Sequence, residues 1–346
     1  MSSFDSGNYG ILSARFGALT GMREIGYTLK MIQEQNYNSA FIGRRQIQNA
    51  DGSTQLVVTD SLIGSVNPSE EMYGTKYPGS IITNGRRLYW LDTIKGCVVR
   101  EAGNQPFRIS DYGMVRYWRD ACRQIEVLGY EVLTGWDWQT ESLFITRKSD
   151  LLASGETINF YDPERESGEA GWVSEHDFKD AGGLFVDMYG YVGKTFTSTL
   201  GGGVFIHNAV NSYLNLYGQA KTFSITSIFN PELDTEKVFL AHWMKANQSL
   251  SKAIFTVPAS AQNPNGMRTY LVPGNYAVRE AQYFSDLKND GYTKGVFADD
   301  APLFIQQMIS GRPLREQVCF ATVEYAGSTI FVLFSHDITY NNSPWS

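Results

Sequence analysis

The sequence predicts a mainly β protein with propeller-like antiparallel blades, a C-terminal β-sandwich-like unit and one prominent α-helix. Three observations support this fold class. Aromatic residues make up 14% of the 346 residues, and flat rings pack well on a half-buried pleated surface. The chain contains 33 glycines, which suits frequent tight turns. Apolar strand-like segments recur at spacings of roughly 10 residues, which is typical of propellers and sandwiches.

Turn sequences separate these strand-like segments. Asp51-Gly52 and Asn84-Gly85 favour hairpin turns, because both turn positions tolerate a positive φ angle. Ala326-Gly327 predicts a hairpin between the last two segments. Near the start of the chain, a short helix is predicted at Thr28 to Gln35.

The prominent helix is predicted at about residues 111–127. Ser110 or Asp111 can cap its start, and Gly129 is expected to end it. Its apolar residues recur at helical spacing, so we interpret them as a core-facing stripe rather than a ligand site. The stripe consists of Met114, Tyr117, Trp118, Ala121 and Ile125.

Changes in composition suggest three parts. Residues 1–40 are punctuated by Gly and Ser and are predicted to be an N-terminal extension or adaptor. Residues 41–248 are predicted to form propeller-like blades with the helix inserted among them. A segment rich in Ser, Ala, Pro and Asn follows, so residues 249–346 are predicted to form the β-sandwich-like or sheet-closing unit.

Charge and cysteine usage narrow the possible partners and compartments. The net charge of −7 argues against a nucleic-acid-binding protein, because binding to phosphates needs a basic face. Cys97, Cys122 and Cys319 are too few and too far apart for a disulfide framework or a zinc site, so buried free thiols are expected. The sequence has no signal peptide and no 18-residue apolar run, which predicts assembly in a cytoplasm without a membrane span.

None of the familiar catalytic or ligand-binding motifs is present. The glycines of TLGGGVF at 199–205 lack the Lys and the following helix of a phosphate-binding loop, so a turn is predicted. No G-x-S-x-G motif for a nucleophilic serine occurs. The four histidines lie far apart in the sequence and are expected to be satisfied, half-buried side chains: His176, His207, His242 and His336.

A few polar and aromatic residues remain as candidates for glycan chemistry. Trp136 and Trp138 alternate on one strand, so they face one side, either as core packing, which we favour, or as a platform for sugar. Several carboxylates fall near predicted strand ends, where a propeller glycosidase would place its acid and base: Asp137, Glu141, Asp162, Glu175 and Asp187. The Asp-box of sialidases is not matched. We therefore assign no catalytic, cofactor-binding or metal-binding residue and expect no enzyme activity.

Several blocks of the sequence, taken in their order, resemble the tail stabilisation or muzzle protein of crAss-like bacteriophages. That family is similar in role to the nozzle and hub proteins of short-tailed phages. The resemblance covers most of the chain from about Gly21 onwards. The blocks are GMREIGYTLKMIQEQN (21–36), FIGRRQIQNADGSTQLVVTDSLIGS (41–65), YGTKYPGSI (73–81), RLYWLDTIKGCVVRE (87–101), ISDYGMVRYWRD (109–120), TFTSTLGGGVFIHN (195–208), LYGQAKTFSITSIFNPELDTEKVF (216–239) and GRPLREQVCFATVEY (311–325).

The resemblance implies a hexamer-like tubular component of the virion, below the portal and ring proteins, through whose lumen DNA leaves without specific binding. It also implies β blades together with sandwich parts, and it carries no catalytic residue to transfer. Members of the family are longer, and the match reaches only their C-terminal part. This implies a separate or cleaved segment that completes its fold against another polypeptide, such as a longer N-terminal muzzle segment.

Three hypotheses follow. The first is a structural component of a phage tail, made in the host cytoplasm and kept in the virion as an oligomeric ring. The alternative is a tail-associated glycan-binding or glycosidase β-propeller that uses Trp136 and Trp138, or carboxylates such as Asp137 and Glu175. A bacterial surface propeller scaffold is a third possibility, which the absence of a signal peptide disfavours.

Overall fold

The computed structural model describes residues 10–48, 54–103, 105–163, 170–209, 213–232, 234–261, 264–280, 282–291, 311–327 and 329–343. These residues are mainly β, in antiparallel sheets, with one α-helix among them, which confirms the predicted fold class at this level. The chain divides into two compact units, Met1–Ala209 (unit 1) and Val210–Ser346 (unit 2).

Unit 1 contains four antiparallel sheets that follow one another along the chain. Sheet 1 consists of β1 (Leu19–Ile25), β2 (Thr28–Gln33), β3 (Tyr37–Gln48), β4 (Thr54–Ile63) and β5 (Asn67–Pro68). Sheet 2 consists of β6 (Ile82–Thr83), β7 (Arg87–Asp92), β8 (Cys97–Ala102) and β9 (Gln105–Arg108). Sheet 3 consists of β10 (Glu131–Asp137), β11 (Ser142–Ser149), β12 (Ser154–Tyr161) and β13 (Gly171–His176). Sheet 4 consists of β14 (Met188–Val192), β15 (Thr195–Leu200) and β16 (Gly203–Ile206).

Sheet 2 is buried on both faces. Successive side chains of a strand point to opposite sides of the sheet, and those of β7 enter two different cores. Leu88 and Trp90 pack in a core that contains Ile32 of sheet 1. Tyr89 and Leu91, the alternate residues of β7, pack in a second core that is shared with sheet 3. Sheet 2 therefore lies between sheets 1 and 3, and the near-continuous apolar run of β7 follows from this position.

Sheet 3 uses its two faces in the same way. Leu143 and Ile145 of β11 pack in the core that is shared with sheet 2. Phe144, between them, stacks on Phe196 of sheet 4, with the ring centroids 5.2 Å apart. Unit 1 is therefore a stack of four sheets, in which each sheet packs against the next one along the chain.

Helix α1 (Val115–Leu128) joins sheets 2 and 3 and buries the predicted stripe against their shared core. It begins later than predicted, because residues 109–111 form a 3₁₀ turn and Met114 is the N-cap, without a side-chain cap. Gly129 ends the helix with φ of 68°, as predicted. The 3₁₀ turns of the described chain are Ala14–Phe16, Pro78–Ser80, Ile109–Asp111 and Pro273–Asn275.

Unit 2 consists of two antiparallel sheets that share one core, together with a short hairpin of β17 (Asn215–Leu216) and β18 (Gln219–Ala220). Phe239 and Met244 of one sheet pack with Phe255 and Val323 of the other. Sheet 5 consists of β19 (Phe223–Phe229), β21 (Lys252–Val257), β22 (Met267–Leu271) and β26 (Cys319–Tyr325). Sheet 6 consists of β20 (Lys237–Ala246), β23 (Ala277–Arg279), β24 (Gln282–Asp286), β25 (Leu314–Glu316) and β27 (Leu333–Asn342).

Two local predictions are wrong. The predicted helix at Thr28 to Gln35 is strand β2, which pairs with strands on both sides. The predicted hairpin at Ala326-Gly327 is a crossover, because β26 pairs within sheet 5 whereas β27 pairs with β20 in sheet 6. Asn84-Gly85 does form the turn between β6 and β7, and Asp51-Gly52 lies outside the described residues.

The predicted division of the chain stays a prediction. Its boundary at residue 40 falls inside β3, and its boundary at residue 248 falls just after β20. The described sheets do not close into a barrel or a propeller ring, so a propeller-like closure also stays a prediction. In the part of the chain that is described, no helix has the length and apolarity that crossing a membrane requires.

Candidate functional site

Several of the candidate residues gather at one end of sheets 2 and 3. Asp137 ends β10 and pairs with Ser142, which in turn pairs with Tyr161, the residue before Asp162. Asp137 and Asp162 therefore lie at the same end of sheet 3. Trp138 and Glu141 lie in the turn between β10 and β11 at that end.

Asp162 is the centre of a buried charge network. Its carboxylate accepts a hydrogen bond from the Tyr89 hydroxyl at 2.7 Å and contacts Nη1 of Arg87 at 2.6 Å and of Arg100 at 2.7 Å. Burial and the adjacent carboxylate raise the pKa of Tyr89, so the phenol stays protonated as the donor. Because three donors occupy this carboxylate, Asp162 ties sheet 2 to sheet 3.

Asp137 has a similar structural role. Its carboxylate accepts hydrogen bonds from the backbone N–H of Gln139 at 2.9 Å, the Thr140 hydroxyl at 2.9 Å and the Asn208 side-chain amide at 3.0 Å. These bonds fix the turn after β10 and attach the segment after β16 to it. Asp137 therefore holds this turn in place.

The two tryptophans differ in exposure. Trp136 is 1% exposed and stacks on Tyr89 in the core, with the ring centroids 5.4 Å apart. Trp138 is 43% exposed and meets Trp136 edge to face at 6.2 Å. The interpretation as core packing therefore fits Trp136, whereas Trp138 presents a partly open ring next to Trp136.

Glu175 is not brought to Asp137. It pairs with Ile158, and Ile158 pairs with Ile145, so three strand spacings, about 14 Å, separate the β13 and β10 positions. Its neighbour is instead Glu156, which sequence reasoning missed. Burial and the Glu175 charge raise the pKa of Glu156 to about 7, although Arg147 contacts it at 2.7 Å and acts in the opposite direction.

Two carboxylate candidates remain. Asp187 pairs with Lys148 of β11, and Glu141 lies in the turn between β10 and β11. Asp187 contacts the buried Lys148 ammonium at 3.5 Å, as do Glu131 and Asp150 at 3.6 and 3.7 Å. Glu141 lies in the turn with φ of 49°, a conformation that is uncommon for a residue other than glycine.

The histidines, which are distant in the sequence, form two pairs. His176 and His207 both contact the ring of Phe178 at 5.1 Å, and burial lowers the pKa of both, that of His207 to about 4. In unit 2, His242 and His336 lie 5.8 Å apart by ring centroids, and burial lowers the pKa of both, that of His242 to about 3. His176 of sheet 3 meets His207, which follows β16 of sheet 4, where these two sheets pack together, whereas His242 and His336 lie on the paired strands β20 and β27.

Two other sequence predictions, the turn at 199–205 and the buried free thiols, are confirmed. Gly201 and Gly202, both with positive φ, form the turn between β15 and β16, so the glycines of 199–205 are a hairpin turn. Cys97, Cys122 and Cys319 are buried free thiols, and burial raises the pKa of each. Within the described ranges, no group of three or more His, Cys, Asp or Glu is placed to hold a metal ion.

The outer face of sheet 4 is a surface that sequence reasoning did not single out. Met188 and Val204 flank Thr199 across the sheet, and Ile206 lies on the same side. Met188, Val192, Val204 and Ile206 are 57%, 64%, 65% and 59% exposed. The opposite face, with Phe196, packs on sheet 3. We call these four residues the sheet 4 face.

The sequence was compared with protein-family models and with curated proteins, and neither comparison gives a match.

Proposed function

We propose that the chain is a structural component of a bacteriophage tail, a muzzle or nozzle subunit in the oligomeric conduit through which DNA leaves the particle. The sheet 4 face is the observation that carries this proposal. Each sheet of unit 1 packs on the next, yet the last one presents four large apolar side chains to solvent. Patches of this kind mark sites of protein association.

Two further features support a role as the wall of a conduit that does not bind the DNA passing through it. The net charge of −7 repels phosphate and avoids the counterion release that would hold DNA in transit. Successive antiparallel sheets packed face to face are also the arrangement of propeller blades, so we propose propeller-like blades that are completed by neighbouring polypeptides. The neighbours would be other copies in a hexameric ring, together with ring and portal-proximal proteins and a longer N-terminal muzzle segment.

This function is tested on the particle and on the isolated chain. We expect mass spectrometry of purified virions to find the chain in the tail, and cryo-electron microscopy to place it around the lumen below the portal. Light scattering of the purified chain is expected to show an oligomer. A chain that stays monomeric at every concentration and is missing from phage tails would refute the proposal.

Charging the sheet 4 face is expected to dissociate the oligomer. In the variant V204K/I206K, two exposed apolar side chains become cations that cannot be buried against a neighbour. The thermal midpoint is expected to change little, because both residues are exposed in the isolated chain. Light scattering measures the mass, and L151K, at a 99% exposed position outside this face, is the control. An unchanged oligomer in V204K/I206K would contradict the assignment of this face.

The open ring of Trp138 favours one second candidate function, a tail-associated glycan-binding or glycosidase protein. Stacking of a sugar on an exposed tryptophan contributes affinity through the apolar ring face. If this function holds, W138A is expected to lose at least about 10-fold in affinity for a glycan that a glycan array identifies, while an aromatic replacement, W138F, retains most of it. Blank results on the array and in a hydrolysis screen would remove this candidate.

A further inference from the structure

Unit 2 contains two histidine rings side by side on one sheet face. His242 lies on β20 and pairs with Ile338, while His336 lies on β27 and pairs with Met244. The two rings are thus diagonal neighbours on adjacent strands, on the face that contributes Met244 and Ile338 to the core of unit 2. Their centroids are 5.8 Å apart, and their planes meet at 71°.

In each ring, a hydroxyl group holds one nitrogen. Nδ1 of His242 lies 3.0 Å from the Tyr276 hydroxyl, and Nε2 of His336 lies 2.9 Å from the Ser227 hydroxyl. The other two nitrogens, Nε2 of His242 and Nδ1 of His336, are buried and have no hydrogen-bond partner in the described part of the chain. A buried polar atom without a partner is uncommon in a folded protein, so these two nitrogens are free of protein donors and available to a ligand.

The surroundings favour uncharged imidazoles. The ring of His242 is 4.8 Å from that of Phe255, and the ring of His336 is 5.5 Å from that of Phe229. A positive charge on His336 would further lower the pKa of His242, and the Asp337 carboxylate partly offsets the effect of burial on the pKa of His336. Burial lowers the pKa of both histidines, so both are neutral at pH 7, which is the protonation state that binds metals.

We propose that His242 and His336 form a two-coordinate site for a single Cu(I) ion, held between Nε2 of His242 and Nδ1 of His336. A metal–nitrogen bond of about 2 Å places a ring centroid about 3.2 Å from the ion, so the centroids of two ligating rings lie at most about 6.4 Å apart. The observed 5.8 Å is within this limit. The Tyr276 and Ser227 hydroxyls occupy the positions of the hydrogen-bond partners that orient ligating histidines.

The number and the type of ligands select the ion. Structural zinc requires four ligands, and no group of three metal-binding side chains exists in the described residues. Burying a divalent charge beside Phe255 and Phe229 with no carboxylate as a ligand would be costly, whereas a monovalent ion costs less. Cu(I) accepts two nitrogen ligands and carries a single charge, and imidazole is a suitable ligand for copper.

The experiment titrates the full chain with Cu(I) alone, without oxygen, against a chromophoric copper chelator. We expect one tightly bound ion per chain. H242Q and H336Q are each expected to lower the affinity by more than about 100-fold, and Y276F, which keeps both ligands, by about 10-fold. H176Q, which alters the histidine pair of unit 1, is the matched control and is expected to bind copper as the original chain does.

X-ray absorption of the loaded chain identifies the ligands independently of affinity. Two imidazole nitrogens at about 2 Å are expected, without a sulfur ligand at about 2.3 Å. A copper–sulfur distance, or equal binding by the original chain, H242Q and H336Q, would assign the copper to cysteine and overturn the proposal. Absence of tight copper binding in the original chain would overturn it too, since the two nitrogens would then share a buried water. Because Y276F keeps both ligating histidines and removes only one hydroxyl, its 10-fold effect is measurable even if the glutamine variants misfold.

Discussion

Replacing Lys30 by methionine is expected to lower the free energy of unfolding by about 3–5 kcal/mol. Lys30 of sheet 1 forms an ion pair with Glu101 of sheet 2 at 3.0 Å, and both side chains are 2% exposed. In K30M the Glu101 carboxylate would be buried without its cation, at the junction that holds the first two sheets of the stack together. Urea unfolding of the two proteins measures the difference.

Two comparison variants separate the lost pair from the lost side chain. K30M/E101L removes both charges and is expected to recover most of the stability, because apolar replacement of a whole buried pair is often neutral. K76M breaks the exposed pair between Lys76 and Glu126 and is expected to cost less than about 1 kcal/mol. If K30M were no more costly than K76M, the pair would not hold the sheets together.

Acidification is expected to destabilise unit 2 through its two histidines. The pKa of His242 is about 3 in the folded chain, against about 6.5 when unfolded, and that of His336 is lowered as well. Below about pH 6.5 the unfolded chain therefore binds protons that the folded chain does not, and stability is lost as the pH falls. Between pH 7 and pH 5, His242 alone accounts for about 2 kcal/mol, and His336 acts in the same direction.

The measurement needs a signal from unit 2 alone. Trp243 lies on β20 next to His242, so its fluorine resonance in fluorotryptophan-labelled protein follows urea unfolding of that sheet at pH 7 and pH 5. H242F removes the titrating ring and keeps an aromatic side chain, so its midpoint is expected to depend less on pH. In unit 1, the raised pKa of Glu156 acts in the opposite direction over this range. Equal pH dependence of the original chain and H242F would show that His242 is not the cause.

The sequence predicted those elements whose signals are local. The αL position of Gly129 ends α1, and the Gly201-Gly202 turn joins β15 to β16, since each depends on backbone preferences within a few residues. The start of α1 was less predictable. Ser110 and Asp111 are good capping residues, yet they belong to the preceding 3₁₀ turn, and Met114 takes the cap position.

Long-range pairing explains the wrong predictions. Residues 28–33 lie between β1 and β3, and pairing on both sides outweighs their weak helical pattern. A glycine turn such as Ala326-Gly327 looks the same whether the next strand pairs with the previous one or crosses to another sheet. Which sheet receives β27 depends on β20, about ninety residues earlier in the chain.

In the candidate site, too, local features were predictable from the sequence and long-range contacts were not. Exposure of Trp138 and burial of Trp136 depend on where β10 ends, which the alternating pattern does not contain. The Glu156–Glu175 and His242–His336 neighbours are set by strand order and register, so no spacing in the sequence could have indicated them. The carboxylates at strand ends were recognised as unusual, but their donors lie on other strands.

The pairing of β20 with β27 also sets an order of events during synthesis. Each sheet of unit 1 is built from strands that follow one another, so it can form as soon as its own residues leave the ribosome. Sheet 6 cannot form so early, because β20 pairs with β27, and β27 is complete only when residue 342 has been synthesised. Throughout that interval one edge of β20 lacks its hydrogen-bonding partner, so we expect unit 2 to fold more slowly than unit 1 and to be the more prone to aggregate during synthesis.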